Sequence, residues 1–91
     1  MADELSSPPK DFDELRLAIL KRKGELPKRL RQVANYAMVY PDEMAFSTVA
    51  GVAGAAKVQP STLIRFAQHF GFTGFSSLQR VFRNRLRERS S

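Results

Sequence analysis

Apolar residues recur along this chain at intervals of three and four, in groups separated by proline, glycine or short polar stretches. That interval marks helices with one buried face. Phe12, Leu15 and Ile19 share the face of a first helix, which Asp11 and Glu14 open with capping-box spacing and Gly24 ends. Pro27 suits the first turn of a second helix, where Leu30, Val33, Ala34, Ala37 and Met38 keep helical spacing as far as Pro41. Asp42 to Ala45 have room for only a short helical turn. Ser47 or Thr48 can cap a third helix running to about Ala56, and Pro60 fits the first turn of a fourth running to about Phe70. Gly71 and Gly74 interrupt the chain before a last helix that starts near Phe75 or Ser76. Its Phe75, Leu78, Phe82 and Leu86 face inward, with Arg80, Arg83 and Arg87 on the opposite side. No stretch of four or more residues alternates convincingly with period two, so no sheet is predicted.

Residues 49 to 68 carry the most specific part of the pattern. Val52, Ala53 and Ala56 give one face of a helix, Val58 plugs a turn, and Leu63, Ile64, Phe66 and Ala67 give the inner face of the next helix. Ala53 and Ala56 are small enough to let the two helices cross closely at a steep angle, which is the arrangement of a helix-turn-helix. The outer side of the second helix, with Ser61, Arg65 and Gln68, is then free to enter a DNA major groove.

The chain has 91 residues, enough for one domain with its own core and too few for a separate catalytic or ligand domain beside it. Residues 1–10, with Ser6, Ser7, Pro8 and Pro9, read as a disordered leader, and residues 11–89 as the domain. There is no cysteine, hence no disulfide framework or thiolate metal site, and the lone His69 cannot assemble a zinc centre. No metal or cofactor is expected. No apolar run approaches the roughly 20 residues of a membrane span, and the first five residues, Met-Ala-Asp-Glu-Leu, are acidic where a secretory signal is basic. The chain therefore reads as cytoplasmic, with no membrane partner.

The net charge of +6 is unevenly placed. Residues 1–45 hold eight basic and eight acidic residues, whereas residues 46–91 hold seven basic residues and only Glu88. The whole surplus lies in the half with the helix-turn-helix, where it suits a polyanion such as double-stranded DNA. A solvated basic surface is the plain alternative.

Candidate contacts follow from position. Arg65 projects from the recognition helix and can grip a guanine or a phosphate, while Ser61 and Thr62 lie in its first turn, nearest the groove. Gln59 and Gln68 can read adenine edges. Ser47 and Thr48 can offer hydroxyl and backbone donors to phosphate from the start of the third helix, and Lys57 in the turn suits the DNA backbone. His69 lies on the helix flank. Phe66, Phe70, Phe72 and Phe75 are spaced as core rather than as stacking platforms, and Arg80, Arg83 and Arg87 form either a second phosphate-binding stripe or a solvated face. An enzyme is not expected, because His69 has no nucleophile and acid in its sequence context and there is no glycine-rich phosphate loop. The competing reading is a helix-turn-helix-like module for protein interaction or dimerisation, using the apolar stripes of the first and last helices.

From Leu26 to about Leu86 the chain resembles the N-terminal DNA-binding domain of the RpiR-type bacterial transcriptional regulators. The resemblance rests on Val33-Ala34-Asn35-Tyr36, on Tyr40-Pro41 with Ser47, on Ser61-Thr62-Leu63-Ile64-Arg65-Phe66, and on Gly71-Phe72-Thr73-Gly74-Phe75. The last two are the most specific. The resemblance implies an all-α, homeodomain-like bundle of five to six helices containing a helix-turn-helix, in a regulator of sugar or carbon metabolism that acts as a homodimer. It also implies a C-terminal sugar isomerase domain, outside these residues, that would sense a phosphosugar effector, so the chain reads as the N-terminal part of a longer regulator. Two positions depart from the family pattern. Lys57 stands where the family usually has glycine in the turn, at a cost of about 1 kcal/mol if the left-handed conformation is kept. Gln59, followed by Pro60, stands where serine or threonine often caps the recognition helix.

Overall fold

The computed structural model describes residues 8–90, which form six α-helices and one 3-10 turn without a strand. Helix α1 spans Phe12–Arg22. Asp11 caps it by accepting the N–H of Glu14 at 2.9 Å, and the Glu14 carboxylate reaches back past the cap to the N–H of Lys10 at 2.8 Å. The cap satisfies the N–H of Glu14 as in a capping box, while the reciprocal bond goes to the N–H of Lys10, one residue before the cap. The α-helix stops before Gly24, and the chain tightens into a 3-10 turn over Lys23–Glu25.

Helix α2 covers Lys28–Val39, with Pro27 at its cap rather than in its first turn. Helix α3, Pro41–Phe46, is the short turn expected after Pro41. Helices α4, Val49–Ala56, and α5, Pro60–His69, are the two arms of the helix-turn-helix, and α6, Phe75–Ser90, closes the bundle. The all-α architecture expected from the apolar spacing is therefore the one observed.

The core collects the apolar stripe of every helix. Leu15, Ile19, Val33, Met44, Val52, Leu63, Phe66, Leu78 and Phe82 are all fully buried. Phe12 meets Phe82 edge-on at 5.5 Å, and Phe66 lies 5.0 Å from Phe70, geometries that add to the burial of the rings themselves. Tyr36 is half-buried against Tyr40 at 5.1 Å. Its phenol is raised above the ordinary value of 10.0 by burial first, then by Glu43 and Tyr40, and so stays protonated at neutral pH.

Polar side chains of α6 brace the joint between α3 and α4. Gln79, the buried polar residue of the core, donates its amide N–H to the carbonyl of Ser47 at 2.7 Å. Arg83 does not lie free on the outer face expected of it. Its Nε donates to the carbonyl of Ala45 at 2.8 Å and Nη2 to Gln79 Oε1 at 3.2 Å. The last carbonyls of a helix have no intrahelical partner, and a guanidinium from the neighbouring helix supplies one here. Arg85 likewise pairs with Asp42 at 3.0 Å and covers the Phe12 ring at 5.1 Å. Only Arg80 and Arg87 of the expected basic stripe remain as exposed side chains without such bonds to α3.

Of the stretch read as a leader, residues 1–7 lie outside the described residues. Pro8 is placed against Gly71, where an added Cβ would come within 3.2 Å of the Pro8 Cα.

Candidate nucleic-acid interface

Helix α4 begins with a side-chain cap. Thr48 Oγ1 accepts the N–H of Gly51 at 3.0 Å, and a Cβ on Gly51 would lie only 3.2 Å from that oxygen, so glycine lets the cap close. Of the two candidates for this cap, Thr48 takes the role. The Ser47 hydroxyl instead donates to Glu43 at 3.1 Å.

At its other end α4 stops in a Schellman turn. The N–H of Val58 donates to the carbonyl of Ala53 at 2.9 Å and that of Lys57 to Gly54 at 3.3 Å. The motif requires a left-handed residue, and Lys57 supplies it with φ 63° and ψ 45°. The residue in this left-handed turn is a lysine and not a glycine, so the cost of the conformation falls on it. Gln32 of α2 donates to the carbonyl of Ala56 at 3.2 Å and fixes the end of α4 from below.

Helix α5 then presents two opposed stripes, each at spacing i, i+3, i+4, i+7. Leu63, Phe66, Ala67 and Phe70 are buried, and Ser61, Ile64, Arg65 and Gln68 are exposed. Ile64 is 41% exposed and leaves the inner face on which its apolar character first placed it. Leu63, Phe66 and Ala67 already fill the buried face, and Ile64, some 100° round the helix from Leu63, turns to the outer face. Gln59 caps α5 with backbone alone, without a side-chain hydrogen bond, and Pro60 occupies the first turn.

The far end of α5 is held twice. Gly71, with φ 92°, ends the helix, and the N–H groups of Gly71 and Phe72 donate to the carbonyls of Gln68 and Ala67 at 3.0 Å each. Arg22 of α1 donates to the carbonyl of His69 at 3.2 Å while lying 5.5 Å over the Phe70 ring. His69 is exposed beside this clamp, its ring edge against Phe70.

The sequence-predicted residues thus fall into three places. Lys57, Gln59 and Thr62 line one open cleft of about 290 Å³ with Val58 and Arg29. Ser61, Arg65 and Gln68 share the outward stripe of α5, with His69 at its end. Ser47 and Thr48 stand at the opposite end of α4 from Lys57, beyond a helix of eight residues that is about 12 Å long at 1.5 Å each.

Sequence reading missed Arg29, which reaches the cleft from the first turn of α2, and no local signal ties it to a turn 28 positions on. It also missed the clamps made by Arg22, Gln79 and Arg83. Among the described residues no group of histidine and carboxylates could hold a metal ion, and no helix is long and apolar enough to cross a membrane.

A profile of the helix-turn-helix domain of the rpiR family matches residues 12–88. A solved structure, the N-terminal domain of ybbH from Bacillus subtilis subsp. subtilis str. 168, described as a transcriptional regulator, is similar to this chain with a TM-score of 0.70 and 26% identity. The similarity covers 75% of this chain and 83% of that one. Among curated proteins none matches. A match from α1 almost to the end of α6 settles the assignment: this chain belongs to the rpiR family of helix-turn-helix domains.

Proposed function

We propose that this chain is the sequence-specific DNA-binding domain of a bacterial, cytoplasmic transcriptional regulator, and that it places α5 in the major groove of double-stranded DNA. The observation that carries the reading is the pair of opposed stripes on α5. One face is locked into the core, and the other offers a hydroxyl, a guanidinium and a carboxamide in a row. Those are groups that read base edges, and a helix held rigidly on its inner side positions them without further ordering.

In this reading Ser61, Arg65 and Gln68 face the bases, with Thr62 and Gln59 at the entering end of the helix. Lys57 and the newly recognised Arg29 bind phosphate at the cleft, Ser47 and Thr48 contact the backbone at the start of α4, and His69 touches phosphate from the flank. Glu43 draws the Ser47 hydroxyl away, so Ser47 contributes chiefly through its backbone. Nothing in this arrangement asks for catalysis, metal or cofactor.

One recognition helix reads about four or five base pairs, too few to mark a genomic site, so the domain works as a homodimer on half-sites about 34 Å apart. The resemblance to RpiR-type regulators extends the proposal to control of sugar or carbon metabolism, with a phosphosugar effector acting through a C-terminal sugar isomerase domain outside these residues. The 91-residue chain should accordingly bind half-sites with micromolar affinity and give no response to a panel of sugar phosphates.

Selection of binding sites from random DNA, followed by titration at several salt concentrations, tests the proposal. Arg29 and Lys57 are the two cations assigned to phosphate, which sets a slope of log K against log salt of about −1.8 per bound domain. Affinity then falls about twelve-fold between 50 and 200 mM salt. Failure to enrich any sequence, or binding that ignores salt, would instead favour a protein-docking module.

A further inference from the structure

Ile64 is the one member of the outward stripe of α5 that offers no polar group. It stands between Ser61 and Arg65 on one side and Gln68 a turn beyond, and is 41% exposed. Of the other large exposed apolar side chains, Leu17 and Leu20 belong to α1, Val39 and Tyr40 to the joint of α2 and α3, and Phe46 to the end of α3. None of them lies on α4 or α5, so Ile64 is an isolated apolar point in a polar row. A protein partner docking by hydrophobic contact needs a contiguous patch, which this row does not give. A single methyl group set among hydrogen-bonding edges is the complement of matching size and surroundings.

We infer that Ile64 contacts the 5-methyl group of a thymine in the major groove, next to the base gripped by Arg65. The inference rests on the DNA-binding reading and adds a named base to it. In the major groove thymine is set apart from the other natural bases by this methyl, and small apolar side chains are its usual readers. Residues 64 and 65 are consecutive, so their side chains leave the helix about 100° apart and reach neighbouring base pairs rather than the same one. The branched side chain of isoleucine also has few rotamers to lose on contact. Each half-site should therefore hold one thymine whose methyl matters, beside the position where Arg65 is required.

The test replaces each thymine of the selected site, one at a time, with deoxyuridine, which keeps every hydrogen-bonding group and removes only the methyl. At one position per half-site affinity should fall about four-fold, equivalent to about 0.8 kcal/mol for one methyl group returned to water. Ile64→Ala should bind the thymine and uracil forms equally, and Ile64→Val, which keeps a branched apolar tip, should retain most of the discrimination. Helical circular dichroism of both variants confirms that the fold is kept. Uniform indifference to deoxyuridine, or discrimination that survives in Ile64→Ala, overturns the contact while leaving DNA binding intact. Failure to select any site overturns the DNA-binding reading itself, and this contact with it.

Discussion

Lys57→Gly should make the protein more stable and a weaker DNA binder at the same time. The lysine sits at φ 63° and ψ 45° because the Schellman turn between α4 and α5 demands a left-handed residue. That conformation costs an L-residue about 1–2 kcal/mol through the approach of Cβ to the following carbonyl, and glycine does not incur it. Glycine gives back about 0.5–1 kcal/mol in the greater freedom of the unfolded chain. The net gain is about 0.5–1 kcal/mol, or about 3–6 °C in Tm for a domain of this size. Lys57→Ala provides the control, since it removes the same charge and keeps the Cβ. Thermal and urea unfolding followed by circular dichroism should therefore rank glycine above alanine. Both variants should lose DNA affinity to a similar degree, with a salt slope shallower by about 0.9. If glycine proves no more stable than alanine, the left-handed turn carries no cost and the reasoning fails. If both bind DNA like the parent, Lys57 does not touch it.

Phe66→Ala should cost about 3–5 kcal/mol, because the ring is wholly buried under α5 and packed on Phe70, and the variant should be largely unfolded near body temperature by circular dichroism. Arg65→Ala should keep the parent melting curve and lower affinity for the selected site by about 1–3 kcal/mol in titration. Gln79→Ala removes the donor to Ser47 and one partner of Arg83, so unfolding in urea should register a loss of about 1–3 kcal/mol. Adding Arg83→Ala to it should cost less than the sum of the two changes, since both belong to one hydrogen-bonded network.

The helices and their order were legible because each signal was local. Thr48, Gly71, Pro60 and the Asp11–Glu14 pair act within a few residues of themselves, and the buried phenylalanines follow a period that one helix fixes alone. Ile64 was misplaced for the converse reason. Apolar character assigns a residue to the inner face, but Leu63, Phe66, Ala67 and Phe70 already complete that face at the right spacing. Counting positions on the outer stripe, 61, 64, 65 and 68, would have caught it. Arg22, Gln79 and Arg83 could not be found this way. Their partners His69, Ser47 and Ala45 lie 47, 32 and 38 residues distant and are backbone carbonyls, which leave no mark in a sequence.

Those long-range clamps also change what the positive charge means. Seven basic residues in the second half suggest a broad phosphate-binding surface, yet Arg83 is bound to Ala45 and Gln79, and Arg85 to Asp42 and the Phe12 ring. A guanidinium committed to a carbonyl or carboxylate of its own chain has little left for a phosphate. The charge that remains on the helix-turn-helix itself is Lys57 and Arg65, joined across the cleft by Arg29 from a helix whose own half of the chain is electrically balanced. Two residues on this surface break local rules. A lysine holds a left-handed turn that glycine would hold more cheaply, and an isoleucine stands in a polar stripe. Asp11, Thr48 and Gly71 hold their caps and turn as local preference expects, and departures from such preference are expected where a surface has a task other than folding. Stability alone would favour glycine at 57 and a polar residue at 64; a phosphate beside the turn and a methyl group before α5 are what would favour the residues present.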